Sequence, residues 1–264
     1  MEFFENLKIL NGNKRINYPL AKNKITQLIN DNSRYRINQI DFNNYFVIKV
    51  NGLKFTEKLI LLSNEPFNIL VSTAMERSLK IIMETIKSIK IGYTYQDKFV
   101  LMFKPEKDDW FSYLNYGGID SIISSITSLT TIVFNRQINE IYKNDNHTFL
   151  FNSNIIHFFN FKSSTEQYLL CKLYLFCEWK IECFRKCVDQ LCYFFSSDRQ
   201  NMFILNKKIN EKIKYLESNT DFIKKYKNMY NVSVNFKNGI RYTREVNGNY
   251  DCLRKCLIKE FTIF

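Results

Sequence analysis

Two strand ends carry the side chains of this chain best placed for chemistry. The first is Asp97, the carboxylate in a polar tip between the apolar runs Ile89–Tyr95 and Phe99–Phe103. That spacing predicts a β-hairpin presenting an acid at the end of a sheet. The second is Asn51-Gly52, toward the end of the strand-like segment Tyr45–Phe55 (YFVIKVNGLKF). Phosphoryl and nucleotidyl transfer need charge neutralised on phosphate oxygens, and magnesium held by carboxylates and a backbone carbonyl is a common solution. Palm-type sheets take one ligand from the end of their first strand and another from the neighbouring hairpin. Asn51 and the Gly52 carbonyl suit the first place, and Asp97 suits the second. Asn51 nevertheless stands where this chemistry wants a carboxylate. Read singly, Asn51-Gly52 is an ordinary turn and Asp97 an ordinary hairpin residue. The function depends on whether the two tips meet.

The elements around them decide that. Residues 1–44 are polar, Asn-rich and irregular, with a short helix expected over Ala21–Asn30. Tyr45–Val50 is mostly apolar, as a buried central strand should be. Within Phe67–Lys90, apolar residues recur at helical spacing from Ile69 to Ile86, which predicts an amphipathic helix running into the hairpin. Lys104–Tyr116 reads as a loop with an acidic pair at Asp108-Asp109. Ile119–Tyr142 is a second long helix, and Thr148–Phe151 and Ile155–Phe159 are short strand candidates. Strand, helix, strand, strand, helix, strand is the split βαβ arrangement of a ferredoxin-like palm. The fold class expected is α+β, with both helices on one face of an antiparallel sheet and the opposite face free for a ligand.

Beyond the palm, Thr165–Phe195 reads as one long apolar helix, followed by helices over Asn206–Glu217 and Thr220–Tyr230. A terminal hairpin is expected from Asn231–Phe236 and Ile240–Val246, turned at Asn238-Gly239,. Cys252–Glu260 reads as a last helix. The division expected is a palm-like unit over 1–160, with an irregular N-terminal arm, and a helical, basic unit over 161–264 packed on it.

Composition bounds the function classes. The 264 residues hold 45% hydrophobic residues, ample for a core,. No run of about 18 uncharged apolar residues predicts a membrane span. The start, MEFFENLKIL, lacks a basic region before an apolar core and does not read as a signal peptide,. A cytoplasmic protein is expected. The net charge of +12 suggests a polyanion partner,. The usage is biased toward Asn, Lys, Ile, Phe and Tyr, with Ala only at Ala21 and Ala74, and such bias inflates Lys by itself. The charge is uneven, however. Residues 205–264 hold 13 Lys/Arg against 6 Asp/Glu, more than half of the excess. Seven cysteines, five of them within one helical segment, read as free core thiols rather than disulfides or a zinc site,.

Several blocks in order give the chain a family resemblance. They are Lys49-Val50-Asn51-Gly52-Leu53-Lys54-Phe55, Glu65-Pro66-Phe67-Asn68, Gly92-Tyr93-Thr94-Tyr95-Gln96-Asp97-Lys98, the Ser-rich helix with Ser124 and Ser128 ending in Phe134-Asn135, Phe151-Asn152-Ser153, Phe195-Ser196 and Lys237-Asn238-Gly239. Together they resemble the tRNA(His) guanylyltransferase family and its wider group of 3′–5′ polymerase-like relatives. The resemblance implies addition of nucleotides to the 5′ end of a tRNA or another RNA at a two-metal palm site, with GTP, ATP and Mg2+. It makes Asn51 and Asp97 the side-chain metal positions and Gly52 the backbone ligand. The backbone of Gly52, Leu53, Lys54, Phe55 and Thr56 would cradle the triphosphate, with Gln96 and Lys98 beside it. It also implies a homo-dimer or homo-tetramer.

Departures from the pattern bear on activity. The first metal carboxylate is Asn51, the acid after the second is Lys98, the usual His after the Gly-x-x-Phe block is Thr56, and Trp-Arg-Gln-x-Asp survives only as Trp179-Lys180-Ile181-Glu182-Cys183. Two compensations are conceivable: Lys98 binding a phosphate in place of part of a metal's charge, or Asp108 or Asp109 swinging in from the loop. Lys207, Lys208, Lys224, Lys225, Arg241 and Arg244, interleaved with aromatics, are the candidates for RNA contact. Three readings stand: a divergent nucleotidyltransferase, a palm that binds RNA without catalysis, and a cyclase-like palm acting on free nucleotide.

Overall fold

The computed structural model describes residues 18–33, 44–55, 68–106, 118–143, 147–161, 163–195, 206–219, 240–244 and 250–252, with residues 40, 58, 62, 109 and 204 among them and small gaps at the ends of these spans. In chain order the elements are α1 (Tyr18–Ser33), β1 (Phe46–Leu53), α2 (Ile69–Thr85), β2 (Ile89–Tyr95), β3 (Lys98–Phe103), α3 (Ile119–Tyr142), β4 (Leu150–His157), α4 (Ser164–Cys177), a π-turn (Glu178–Glu182), α5 (Cys183–Phe195), α6 (Ile209–Ser218), β5 (Ile240–Arg244) and β6 (Tyr250–Cys252).

The sheet runs β4-β1-β3-β2-β5-β6 and is antiparallel throughout. Its first four strands are the ferredoxin-like palm expected from the element order. The hairpin falls where the two apolar runs put it. The two short strands expected over 148–159 are one strand, β4. Its polar middle, Asn152-Ser153-Asn154, interrupts the apolar signal because β4 is an edge strand with Asn152 and Asn154 exposed. The long helix expected over 165–195 is interrupted by the π-turn.

The terminal hairpin has different partners from those expected. β5 pairs with β2, from Ile91↔Thr243 to Thr94↔Ile240, and turns back into β6. Cys252 ends that strand rather than starting a helix. The segments 220–230 and 231–239 lie outside the described residues.

Alternation along the central strands gives the sheet two buried faces. Phe46, Ile48, Val50, Phe99, Leu101 and Phe103 pack against Leu79, Ile82 and Met83 of α2 and Ile126, Phe134 and Ile138 of α3. Gly92 lets α2 lie close, since a Cβ there would stand 2.5 Å from the Met83 sulfur. Asn135 clamps α3 to the entry of β4: its side chain accepts from the Phe149 N–H at 2.7 Å and donates to the Phe149 carbonyl at 2.9 Å.

The opposite face corrects the expectation of an open ligand surface. Val47, Ile91, Tyr93, Val100 and Met102 are buried there against Ile25 of α1 and Leu170, Leu173 and Tyr174 of α4. Apolar side chains on both faces of the same strands need cover on both. What stays partly open is the end of the sheet, where Asn51, Gly52, Gln96, Asp97 and Lys98 are half-buried and Leu53 and Lys54 exposed.

Candidate active site at the sheet end

The two tips meet. Asn51 is the cross-strand partner of Lys98, and the Gly52 N–H donates to the Asp97 carbonyl at 2.7 Å. On its other side Asn51 pairs with Asn152 of β4. Directly opposed residues on antiparallel strands share a face. Asn152, Asn51, Lys98 and Tyr95 therefore form one row across β4, β1, β3 and β2.

Backbone strain sits on both sides of this row. Gln96, in the hairpin turn, has φ of 49°, and Lys54, just after β1, has φ of 50°. A left-handed conformation costs a non-glycine residue roughly 1 kcal/mol. Gly52 is a glycine for space. A Cβ there would stand 2.4 Å from the Phe55 ring, and that ring is held among Phe134, Phe149 and Phe151. Phe55 is therefore a core side chain, and only its backbone can serve a ligand. Thr56 lies outside the described residues.

One pleat below the row lies a buried polar cluster that sequence reasoning missed. Glu178, the first residue of the π-turn, is 5% exposed. It accepts from Lys49 Nζ at 2.6 Å, from the Tyr95 hydroxyl at 2.7 Å and from the Tyr174 hydroxyl at 3.0 Å. Burial pushes its carboxyl up, but the Lys49 ammonium and the hydrogen bonds from Lys49 and Tyr95 outweigh that and hold it below the usual glutamate value,. Burial, then the Glu178 charge, raises the Tyr95 hydroxyl well above the ordinary tyrosine value. The signal for Glu178 in the sequence is faint: an acid directly after the apolar run Leu173–Cys177. Cys183, at the last position of the loose Trp179–Cys183 match, is buried, and burial pushes its thiol up to about 12.

Lys98 differs from Lys49. It has no ion-pair partner among the described residues, and its Nζ lies 5.9 Å from the Tyr95 ring centroid. Burial, then the like charge of Lys49, pulls it down to about 8 against the opposing pull of Asp97. Beside it, Asp97 Oδ1 and Gln96 Nε2 are buried with no hydrogen-bond partner among the described residues.

A carboxylate oxygen buried without a partner suits a metal ion. Asp97, the Asn51 amide and the Gly52 carbonyl are the donors at hand. Magnesium is usually held by one or two carboxylates with water and substrate phosphates. This set fits one such ion. A second has no carboxylate of its own, and among the described residues no group of three or more His, Cys, Asp or Glu comes together.

The other site candidates are scattered. Asp109 cannot swing in. It is 1% exposed and accepts from the Ser88 N–H at 2.7 Å, at the end of β2 remote from Asp97. It is thus a buried cap rather than a solvated acid. Asn68 caps α2 by accepting from the Leu70 N–H at 2.9 Å and the Val71 N–H at 3.2 Å. Lys207 and Lys208 precede α6, and Lys207 lies 3.9 Å from Glu211. Arg241 and Arg244 lie on β5, where Arg241 pairs with Tyr93. Lys224, Lys225 and Asp108 lie outside the described residues. Residues 171, 177, 183, 187 and 192 are buried free cysteines. No helix among the described residues is long and apolar enough to cross a membrane.

The antiparallel palm thus carries oxygen-bearing residues at the end of its first strand and on the adjacent hairpin. Residues 33–159 match the family model described as "Thg1: tRNAHis guanylyltransferase". Over that segment the chain is similar to the tRNA(His) guanylyltransferase family. Solved structures share its fold. A bacterial tRNA(His) guanylyltransferase (Thg1)-like protein in complex with ATP superposes with a TM-score of 0.61 at 14% identity, covering 90% of this chain and 99% of that one. The tRNA(His) guanylyltransferase of Saccharomyces cerevisiae gives a TM-score of 0.54 at 17% identity, covering 83% and 93%. No curated protein sequence matches the chain.

Proposed function

We propose that the protein adds nucleotides to the 5′ end of tRNA or another RNA by 3′–5′ transfer from GTP, after ATP activation or from an existing 5′-triphosphate. The observation that carries this is the junction of Gly52 with Asp97, which joins the backbone turn after Asn51 to the hairpin residue whose carboxylate Oδ1 is buried without a hydrogen-bond partner among the described residues. Asp97, Asn51 and the Gly52 carbonyl would hold a magnesium ion. Such an ion, when bound, supplies charge neutralisation on phosphate oxygens. The backbone from Gly52 to Thr56 cradles the triphosphate. Gln96 Nε2 offers a donor, and Lys98 an ammonium, to phosphate oxygens. The basic residues of the C-terminal quarter hold the RNA backbone, and the protein works in the cytoplasm as a homo-dimer or homo-tetramer.

The test is transfer of labelled GTP to 5′-phosphorylated and 5′-triphosphorylated tRNA in magnesium, with Asp97→Ala alongside. Transfer by the wild type that the substitution abolishes supports the reading. Transfer that survives it removes the mechanism.

A second reading, an RNA-binding palm without catalysis, is favoured by the row Asn152, Asn51, Lys98, which holds amides and an ammonium where metal chemistry uses carboxylates. The variant Asn51→Asp with Lys98→Glu separates the two. A wild type that binds RNA but transfers nothing, beside a double variant that gains transfer, selects the binding role. A wild type already as active as the double variant excludes it.

A further inference from the structure

We propose that the Lys98 ammonium is the triphosphate-binding cation of this site, standing in for one of the two metal ions of a palm, so that the triphosphate is held with at most one divalent ion. The inference rests on the reading above that the site takes a triphosphate, and it names the group that does the holding.

The charges of the site lead to it. The row across β4, β1 and β3 is amide, amide, ammonium. Lys49, two residues before Asn51 on the same face of β1, is not available, because Glu178 takes its charge at 2.6 Å inside a buried cluster. Among the described residues, the carboxylate at the tip is that of Asp97. Lys98 is thus the charge left over, half-buried and without an ion-pair partner among the described residues. Lys186 on α5 adds positive field. An ammonium offers three donors and binds phosphate as a point charge. The neighbouring Gln96 Nε2, buried without a partner, adds an amide donor on the same turn. A fixed cation beside a single carboxylate disfavours a second divalent ion and favours a polyanion.

Full-length protein is titrated calorimetrically with GTP, with guanosine, and with an RNA hairpin bearing either a 5′-triphosphate or a 5′-hydroxyl. Each titration is run in EDTA and in magnesium. The wild type is expected to bind GTP or the triphosphorylated hairpin in EDTA within about tenfold of its affinity in magnesium. Guanosine and the hydroxyl hairpin reveal whether nucleotide, RNA end or both supply the triphosphate. Lys98→Met is expected to weaken binding in EDTA by about tenfold or more. Lys98→Arg keeps most of it, and Lys98→Glu makes binding depend on magnesium. Thermal melts of the three variants show whether each is folded.

Loss of all wild-type triphosphate binding in EDTA overturns the proposal, as does wild-type affinity in a folded Lys98→Met. Metal-free, Lys98-dependent binding without any nucleotide transfer upholds this inference while refuting the transferase reading.

Discussion

The Gly52 N–H donates to the Asp97 carbonyl at 2.7 Å. This bond joins the end of the first strand to the tip of the hairpin, so the residues on either side of it cannot separate without breaking the ladder. Its geometry depends on a missing side chain. Gly52→Ala puts a methyl group into the Phe55 ring, which three other phenylalanines hold in place. The expected loss is about 1–3 kcal/mol, the usual range for overpacking. Urea unfolding measures it, and the pair Gly52→Ala with Phe55→Leu should recover part of the loss. An alanine variant as stable as the wild type would show that the ring can move aside.

Glu178→Gln keeps the size of the side chain but strips Lys49 of its counter-ion. Removing one partner of a buried pair costs roughly 3–5 kcal/mol. The cost should depend on pH. The folded carboxyl lies below its unfolded value of 4.5. Its stabilisation is therefore complete above that value and is lost as pH falls through the lower, folded one. The gap in melting temperature between wild type and variant should be widest near neutrality and narrow below about pH 4.5. A gap that widens on acidification contradicts this account of the cluster.

Asp109→Ala should destabilise the protein by about 1–3 kcal/mol, because the Ser88 N–H loses its acceptor in a buried place,. It should leave triphosphate binding unchanged, since the residue sits at the far end of β2. A fall in affinity with no fall in stability would return Asp109 to the site.

Burial pushes the thiols of Cys177 and Cys183 up to about 12 and that of Cys192 up to about 11. The thiolate is the reactive form. Iodoacetamide at pH 8 should therefore leave Cys171, Cys177, Cys183, Cys187 and Cys192 unmodified in the folded protein and alkylate them in urea. Peptide mass mapping reads the result, and native labelling at any of these positions would contradict the packing.

The palm was legible because its strands are short apolar runs bounded by turn residues, and because α2 and α3 carry long 3.6-residue patterns. Whether the Asn51-Gly52 and Asp97 tips meet was left open by spacing; the pairing of β1 with β3 brings them together. Glu178 was not legible: its partner Lys49 is 129 positions away, and no periodicity announces a π-turn. The cover over the second face was missed for a related reason. The apolar alternation of β2 and β3 shows that a face is buried, but not by which helix. The terminal hairpin misled because Ile240–Arg244 carries a strand pattern without saying which edge it joins. Asn152 was quoted as part of a sequence block, yet only the β1–β4 register brings it beside Asn51.

The widened helical turn at Glu178–Glu182 has a consequence for how the molecule tolerates change in length. A π-turn spends one residue more than a regular coil over the same rise, so α4 and α5 are a single rod with a built-in slip. Deleting one residue there would leave an uninterrupted α-helix in which α4 and α5 keep their present phase, whereas the same deletion within either regular segment would swing the side chains beyond the cut by about 100° around the axis. The turn is thus a stretch of the rod where the chain can shorten by one residue while α5 stays in line with the helix that feeds the Lys49 and Tyr95 anchor.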